Sequence, residues 1–261
     1  MTAVVGRPIS VAELQRAWHA TLAGTYRPGG GQRSGPVWEP DRRALPVVGA
    51  CAGAGASTLT LALATASGDA SLVECASATA SGLSAAATAE LGQDANGWIR
   101  GTRGAVTLTR PGQVLSGPGE VPVPALGQGP GLVVLDVAWD LGAVLTGNGW
   151  LATVLHGPGP VVVVARASVP GVRRLDAALH LLAHAGPVLA LVGTRRPPRP
   201  VAAAVAEVTA RHHLTGNRIV HVPLDARLAA RGIDSAPLPT SLLSAAGSIL
   251  RTTELHERTT R

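Results

Sequence analysis

The stretch Val47-Val-Gly-Ala-Cys-Ala-Gly-Ala-Gly-Ala-Ser-Thr-Leu59 holds the residues of this chain best suited to chemistry. An apolar run leads into Gly49, Gly53 and Gly55, and two hydroxyls, Ser57 and Thr58, follow directly. A glycine-rich turn that opens a helix aims successive backbone N–H groups and the positive end of the helix dipole at one point. Phosphate is the ligand such a point attracts. The candidate phosphate-binding residues are therefore Gly53, Ala54, Gly55, Ala56, Ser57 and Thr58. In loops of this kind the hydroxyl at the place of Ser57 binds Mg²⁺. Asp136 closes a second apolar run, Leu132-Val-Val-Leu-Asp136.

Other constellations carry less. His180 and His184 stand four residues apart on one helical stretch, a metal-pair spacing without an evident third ligand. His212-His213 has no partner pattern. Arg195-Arg-Pro-Pro-Arg199 is the densest basic cluster, and Arg195, Arg196 and Arg199 are candidate contacts for DNA phosphates or an acidic partner. Neither a Gly-x-Ser-x-Gly elbow nor a Cys-x-x-Cys pair is present.

Composition narrows the chemistry further. All 22 basic residues are Arg, which excludes Schiff-base chemistry, Tyr-x-x-x-Lys dehydrogenases and a phosphate loop with its usual lysine. Together with 32 Gly and 20 Pro, the Arg content reads partly as high-GC coding bias, as expected of a high-GC bacterium. The sequence pI of about 11.0 therefore says little about nucleic acid. Two cysteines, Cys51 and Cys75, rule out a disulfide framework and a four-cysteine zinc site. Free thiols suit a reducing compartment. The start lacks a basic and then apolar leader pattern, and no uncharged apolar stretch reaches 18 residues. The expectation is a cytoplasmic protein without membrane attachment.

The elements that must position the glycine turn follow from periodicity. Hydrophobic residues make up 46% of the 261 and charged ones 15%, enough for a sizeable core. With 2% aromatics and no Phe, that core is built from Ala, Val and Leu. Apolar runs at 45–49, 71–75, 132–136, 161–165, 187–192 and 219–222 read as strands, with a weaker one at 105–109. Helical spacing marks 57–65, 81–91, 149–155, 172–185, 201–214 and 240–250. Uniformly apolar strands alternating with helices predict an α/β fold, a three-layer doubly wound and mostly parallel sheet. Residues 1–43 read as an appendage, a capped helix (Ser10, Glu13) followed by a Gly/Pro linker. Residues 44–251 form the main domain, and 252–261 a polar tail. The Gly/Pro-rich stretch 92–130 gives no clear pattern.

At this point the chain resembles the ParA/MinD family of P-loop ATPases. The family loop Lys-Gly-Gly-x-Gly-Lys-Thr-Thr falls on Cys51-Ala52-Gly53-Ala54-Gly55-Ala56-Ser57-Thr58. Gly53, Gly55, Ser57 and Thr58 match, whereas both lysine positions, Cys51 and Ala56, are uncharged. Ser71-Leu-Val-Glu-Cys75 is similar to the family's second strand, with Glu74 where an Asp usually stands. Leu132–Asp136 is similar to its Walker B strand, and the runs at 161–168 and 222–225 sit in the expected order. The likeness spans residues 45–250. It implies a fold that binds ATP with Mg²⁺ through Ser57 and Asp136 and closes into a dimer that meets DNA or membrane; for this chain the expected partners are a protein, a second copy or DNA, and not a membrane.

The departures bear on mechanism. A hydrogen bond to a charged group is worth about 1.5–3 kcal/mol, and about 1.4 kcal/mol is tenfold in rate. Coding drift alone would turn Lys into Arg and keep the charge, but position 56 holds Ala. The expectation is a pseudo-ATPase that binds nucleotide weakly and serves as a regulatory or scaffold module in partitioning, conjugation or a related process. One alternative is an active, unorthodox partitioning ATPase in which Arg166 or Arg195 supplies the missing charge. Another is a non-catalytic dinucleotide-binding module, because Glu74 lies nineteen residues past Gly55, where a ribose-binding acid belongs. Trp139, just after the Walker B acid, is bulky enough to fill space a nucleotide would need.

Overall fold

The computed structural model describes residues 38, 42–77, 80, 82–126, 131–182 and 186–260. Of the N-terminal appendage expected over residues 1–43, all but 38, 42 and 43 lie outside them, the helix and the Gly/Pro linker included.

The valine- and leucine-rich runs form a nine-stranded sheet in the order β3-β4-β5-β2-β6-β1-β7-β8-β9. Its strands are β1 (Arg43–Gly49), β2 (Ala70–Cys75), β3 (Ala89–Gln93), β4 (Trp98–Arg103), β5 (Val106–Pro111), β6 (Leu132–Val137), β7 (Val162–Arg166), β8 (Val188–Gly193) and β9 (Ile219–Pro223). All neighbours from β5 to β9 pair in parallel. Only β4 runs against the other strands, pairing antiparallel with β3 on one side and β5 on the other.

Alternation along each buried strand divides the core into two layers. Leu45 and Val47 of β1, Leu72 of β2, Val134 of β6 and Val164 of β7 face one side. There they meet Leu59 and Leu63 of α1 (Ala56–Ser67) and Leu242, Ala246 and Ile249 of α7 (Thr240–Thr260). Val48, Val73, Leu135, Val163 and Leu191 face the other side. That layer is covered by α2 (Leu141–Thr146), α3 (Trp150–His156), α4 (Val169–Leu181) and α5 (Arg199–Arg211). The short α6 (Ala226–Arg231) follows β9. The fold is thus the predicted three-layer, doubly wound α/β sheet.

Two sequence expectations change. The stretch 81–91, expected to be helical, instead turns at residues 84–86 and enters β3, every residue of which is exposed. Its alanines imitate a helix pattern, but the 82–83 backbone is held by a buried carboxylate from β2. The final helix does not stop at 250, because α7 runs on to Thr260 through the polar residues expected to form a tail. The Gly/Pro-rich segment after β5 is strapped to the core by indoles. Trp98 Nε1 donates to the Val123 carbonyl at 3.3 Å and Trp150 Nε1 to that of Val121 at 2.8 Å. No helix among the described residues is long and apolar enough to cross a membrane.

Candidate functional site

The parallel strands deliver their carboxyl ends to one edge of the sheet, and the turn between β1 and α1 lies there. Ala50 N donates to Val164 O at 2.8 Å, which ties the start of the turn to β7. Ala54 N reaches back to Cys51 O at 3.2 Å. Gly53 (φ 70°) and Gly55 (φ 98°) are left-handed, a conformation that glycine adopts without strain. Gly55 is the N-cap of α1. No side chain caps that helix end and no acid lies in its first turn. The first helical bond is Leu59 N to Gly55 O at 3.0 Å, so the amides of Ala56, Ser57 and Thr58 come before the ladder begins. This is an anion cradle of backbone donors.

Asp136 sits beneath the cradle. It is fully buried on β6, in register with Val47 of β1 and Glu74 of β2. The Thr60 hydroxyl lies 3.4 Å from Oδ1, while Oδ2 is buried with no hydrogen-bond partner among the described residues. Burial pushes the Asp136 carboxyl up to about 7; the Ser57 and Thr60 hydroxyls hold it down, and the neighbouring Glu74 charge raises it. An orphaned carboxylate oxygen beside a hydroxyl is a donor set of the hard oxygen type that suits Mg²⁺. The residues present fit the ion, and Ser57 and Asp136 are the ones that would hold it.

Glu74 has a different role from the one its spacing suggested. It is fully buried, and Oε1 accepts from the backbone of Gly82 at 2.8 Å and of Leu83 at 3.1 Å. This bond holds the 82–83 backbone over Ser57. A Cβ on Gly82 would come within 3.3 Å of Ser57 Cβ. A buried, backbone-capped carboxylate is out of reach of a ribose, which removes the feature that supported a dinucleotide site. Burial, followed by the Asp136 and Glu74 charges, also pushes the Cys75 thiol well up, leaving it a buried structural residue.

The cradle opens into a cavity of about 1010 Å³, a volume that accommodates a nucleotide. All six candidate phosphate binders, Gly53 to Thr58, line it. Trp139 stands in its wall and leaves this space unfilled. The adjacent Asp140 serves as N-cap of α2, accepting from Ala143 N at 2.9 Å. Arg166, at the end of β7, lines the cavity; Arg195 does not. Sequence reasoning missed Arg174, which α4 presents to the same cavity. Neither Arg166 nor Arg174 has an ion pair among the described residues. Arg195, Arg196 and Arg199 are exposed around the start of α5. His180 lies on α4 outside the cavity wall, and His184 is outside the described residues.

No family model matches the sequence, and no curated protein is significantly similar to it. Solved structures are similar in fold. One is a plasmid partition protein from Borrelia burgdorferi bound to AMPPNP, at 12% identity and TM-score 0.53, covering 83% of this chain and 100% of that one. Another is the cell division ATPase MinD of Pyrococcus furiosus, at 14% identity and TM-score 0.52, covering 80% and 98%. A third is apo McdA from Cyanothece, at 12% identity and TM-score 0.54, covering 81% and 99%.

Proposed function

We propose, from the fold this chain shares with ParA/MinD-family P-loop ATPases, that it is a cytoplasmic regulatory or scaffold protein of a partitioning-type system. In this reading it binds Mg²⁺-nucleotide weakly and has lost efficient hydrolysis. One observation supports the proposal: the turn has the left-handed glycines and uncapped helix start that a phosphate cradle needs, while the positions of the family's two lysines hold Cys51 and Ala56. The amides from Gly53 to Thr58 bind and orient the phosphates. Ser57 and Asp136 hold Mg²⁺, which when bound offsets phosphate charge. The chain itself places no lysine on the transferred group, so the charge that develops there is poorly stabilised. The proteins of similar fold support the setting: one is a plasmid partition protein with AMPPNP bound and another a cell division ATPase. A module that does not cycle would make a constitutive contact with a protein partner or a second copy of itself.

Arg166 and Arg174 favour a second reading, slow turnover with a guanidinium in the lysine's stead. Both readings need binding first. Calorimetry with Mg²⁺-ATP and Mg²⁺-GTP is expected to give weak, saturable heat that the Asp136→Ala variant loses. No heat at millimolar ligand would withdraw the proposal.

DNA is the candidate nucleic-acid partner through Arg195, Arg196 and Arg199, which are exposed and have no ion pair among the described residues. Non-specific duplex binding is expected to weaken with salt. Arg195→Ala combined with Arg196→Ala should flatten the log–log salt dependence by about 2. A filter-binding or anisotropy series across ionic strength measures this, and an unchanged slope removes these arginines from the interface.

A further inference from the structure

Helices α4 and α5 meet at a polar cluster apart from the phosphate cavity. Asp176 and His180 stand four residues apart on α4, and His212 directly follows α5. His212 Nε2 lies 2.8 Å from Asp176 Oδ1, and His180 Nδ1 lies 3.8 Å from the same oxygen. The two imidazoles meet edge to face with centroids 4.6 Å apart. One ligand atom from each of the three residues falls within 4.8 Å of the others. Two donors bound to one tetrahedral zinc ion stand about 3.4 Å apart. The 2.8 Å contact of His212 with Asp176 and the 4.8 Å limit on the whole set bracket that spacing.

We propose that Asp176, His180 and His212 form a surface site for a borderline divalent transition metal ion, of which Zn²⁺ is the natural probe. Two imidazoles and one carboxylate are a donor set that favours zinc over Mg²⁺ or Ca²⁺. The surroundings orient these donors. His180 Nδ1 is 2.8 Å from the Asp176 main-chain carbonyl, an acceptor only, so Nδ1 carries the hydrogen and Nε2 the lone pair. Arg211 pairs with Asp176 Oδ2 and, at 2.6 Å, with Glu207. It takes one carboxylate oxygen and leaves Oδ1 for the ion. The ion takes the place of the hydrogen now shared between His212 Nε2 and Asp176 Oδ1, and the coordinated imidazole carries its hydrogen on Nδ1. Because α4 also carries Arg174 and Leu181 to the cavity wall, a bound ion would clamp that wall to α5. The proposal stands independently of nucleotide binding.

The test uses the full chain, stripped with chelator and titrated with Zn²⁺ by calorimetry and thermal denaturation. The expected result is one ion per chain, with a dissociation constant in the micromolar range or below and a raised melting temperature. His180→Ala, at an exposed position that the fold tolerates, and His212→Ala should each weaken binding at least about tenfold. Cys51→Ser and Asp136→Ala should leave it unchanged. The proposal is overturned by the absence of saturable binding, by affinity indifferent to both histidine variants, or by binding lost in Cys51→Ser.

Discussion

Ala56→Lys binds Mg²⁺-ATP about ten- to a hundredfold more tightly than the native chain. Position 56 is the first residue of α1, half-buried and on the cavity wall, directly after the left-handed Gly55. A lysine there reaches the phosphates that the neighbouring amides hold. A charge-assisted hydrogen bond is worth about 1.5–3 kcal/mol, and each 1.4 kcal/mol is about tenfold in affinity. Ala56→Met, similar in length but neutral, should bind as the native protein does. Trp139→Gly added to Ala56→Lys should contribute little, since the indole leaves about 1010 Å³ of cavity open. Calorimetry on the three variants reads these differences. A lysine that adds no affinity would mean that no phosphate docks at the cradle.

Asp136→Asn stabilises the metal-free protein at alkaline pH while removing its response to Mg²⁺. Burial holds the Asp136 carboxyl near 7 in the folded chain, against an unfolded value of 3.8. Between those values the folded chain keeps a proton that the unfolded chain has released. Native stability therefore falls as pH rises through this window and is level above it. The loss from this one group is about 4 kcal/mol, at 1.36 kcal/mol per pH unit. An asparagine amide does not ionise and can donate towards Glu74, but imperfect pairing costs about 1–3 kcal/mol. The net gain is about 1–3 kcal/mol, or about 3–10 °C in Tm, at pH 8; near pH 4, where only the pairing cost remains, the variant is less stable than the native chain by about 1–3 kcal/mol. Thermal melts in chelator at the two pH values measure it. Equal melting points at pH 8 would show that Asp136 is not strained by its burial. A buried group that destabilises its own fold is what a metal-holding position is expected to display.

Local signals made much of this legible. Gly53 and Gly55 announced a turn that needs positive φ, and four apolar residues followed by Asp136 marked a buried strand with an acid at its tip. Long-range contacts decided the remainder. The β3–β4 hairpin was hidden because β3 is exposed throughout and shows no alternation. Residues 121–123 are ordered by indole bonds from Trp98 and Trp150, 25 and 29 residues away in sequence. Glu74 sits where a ribose acid would, and only its burial beneath Gly82 and Leu83 reveals a structural task. Arg174 carries no motif; the packing of α4 on the sheet brings it to the cavity. His212 joins Asp176 across 36 residues, a pairing that no spacing rule reaches.

Phosphate release by the purified full chain, followed over hours with saturating Mg²⁺-ATP and set against Asp136→Ala, tests the central claim most directly. An anion cradle without its cations should bind nucleotide yet liberate phosphate no faster than the variant. Steady turnover well above the variant, and lost in Arg166→Ala or Arg174→Ala, would instead make this chain a working ATPase and contradict the account.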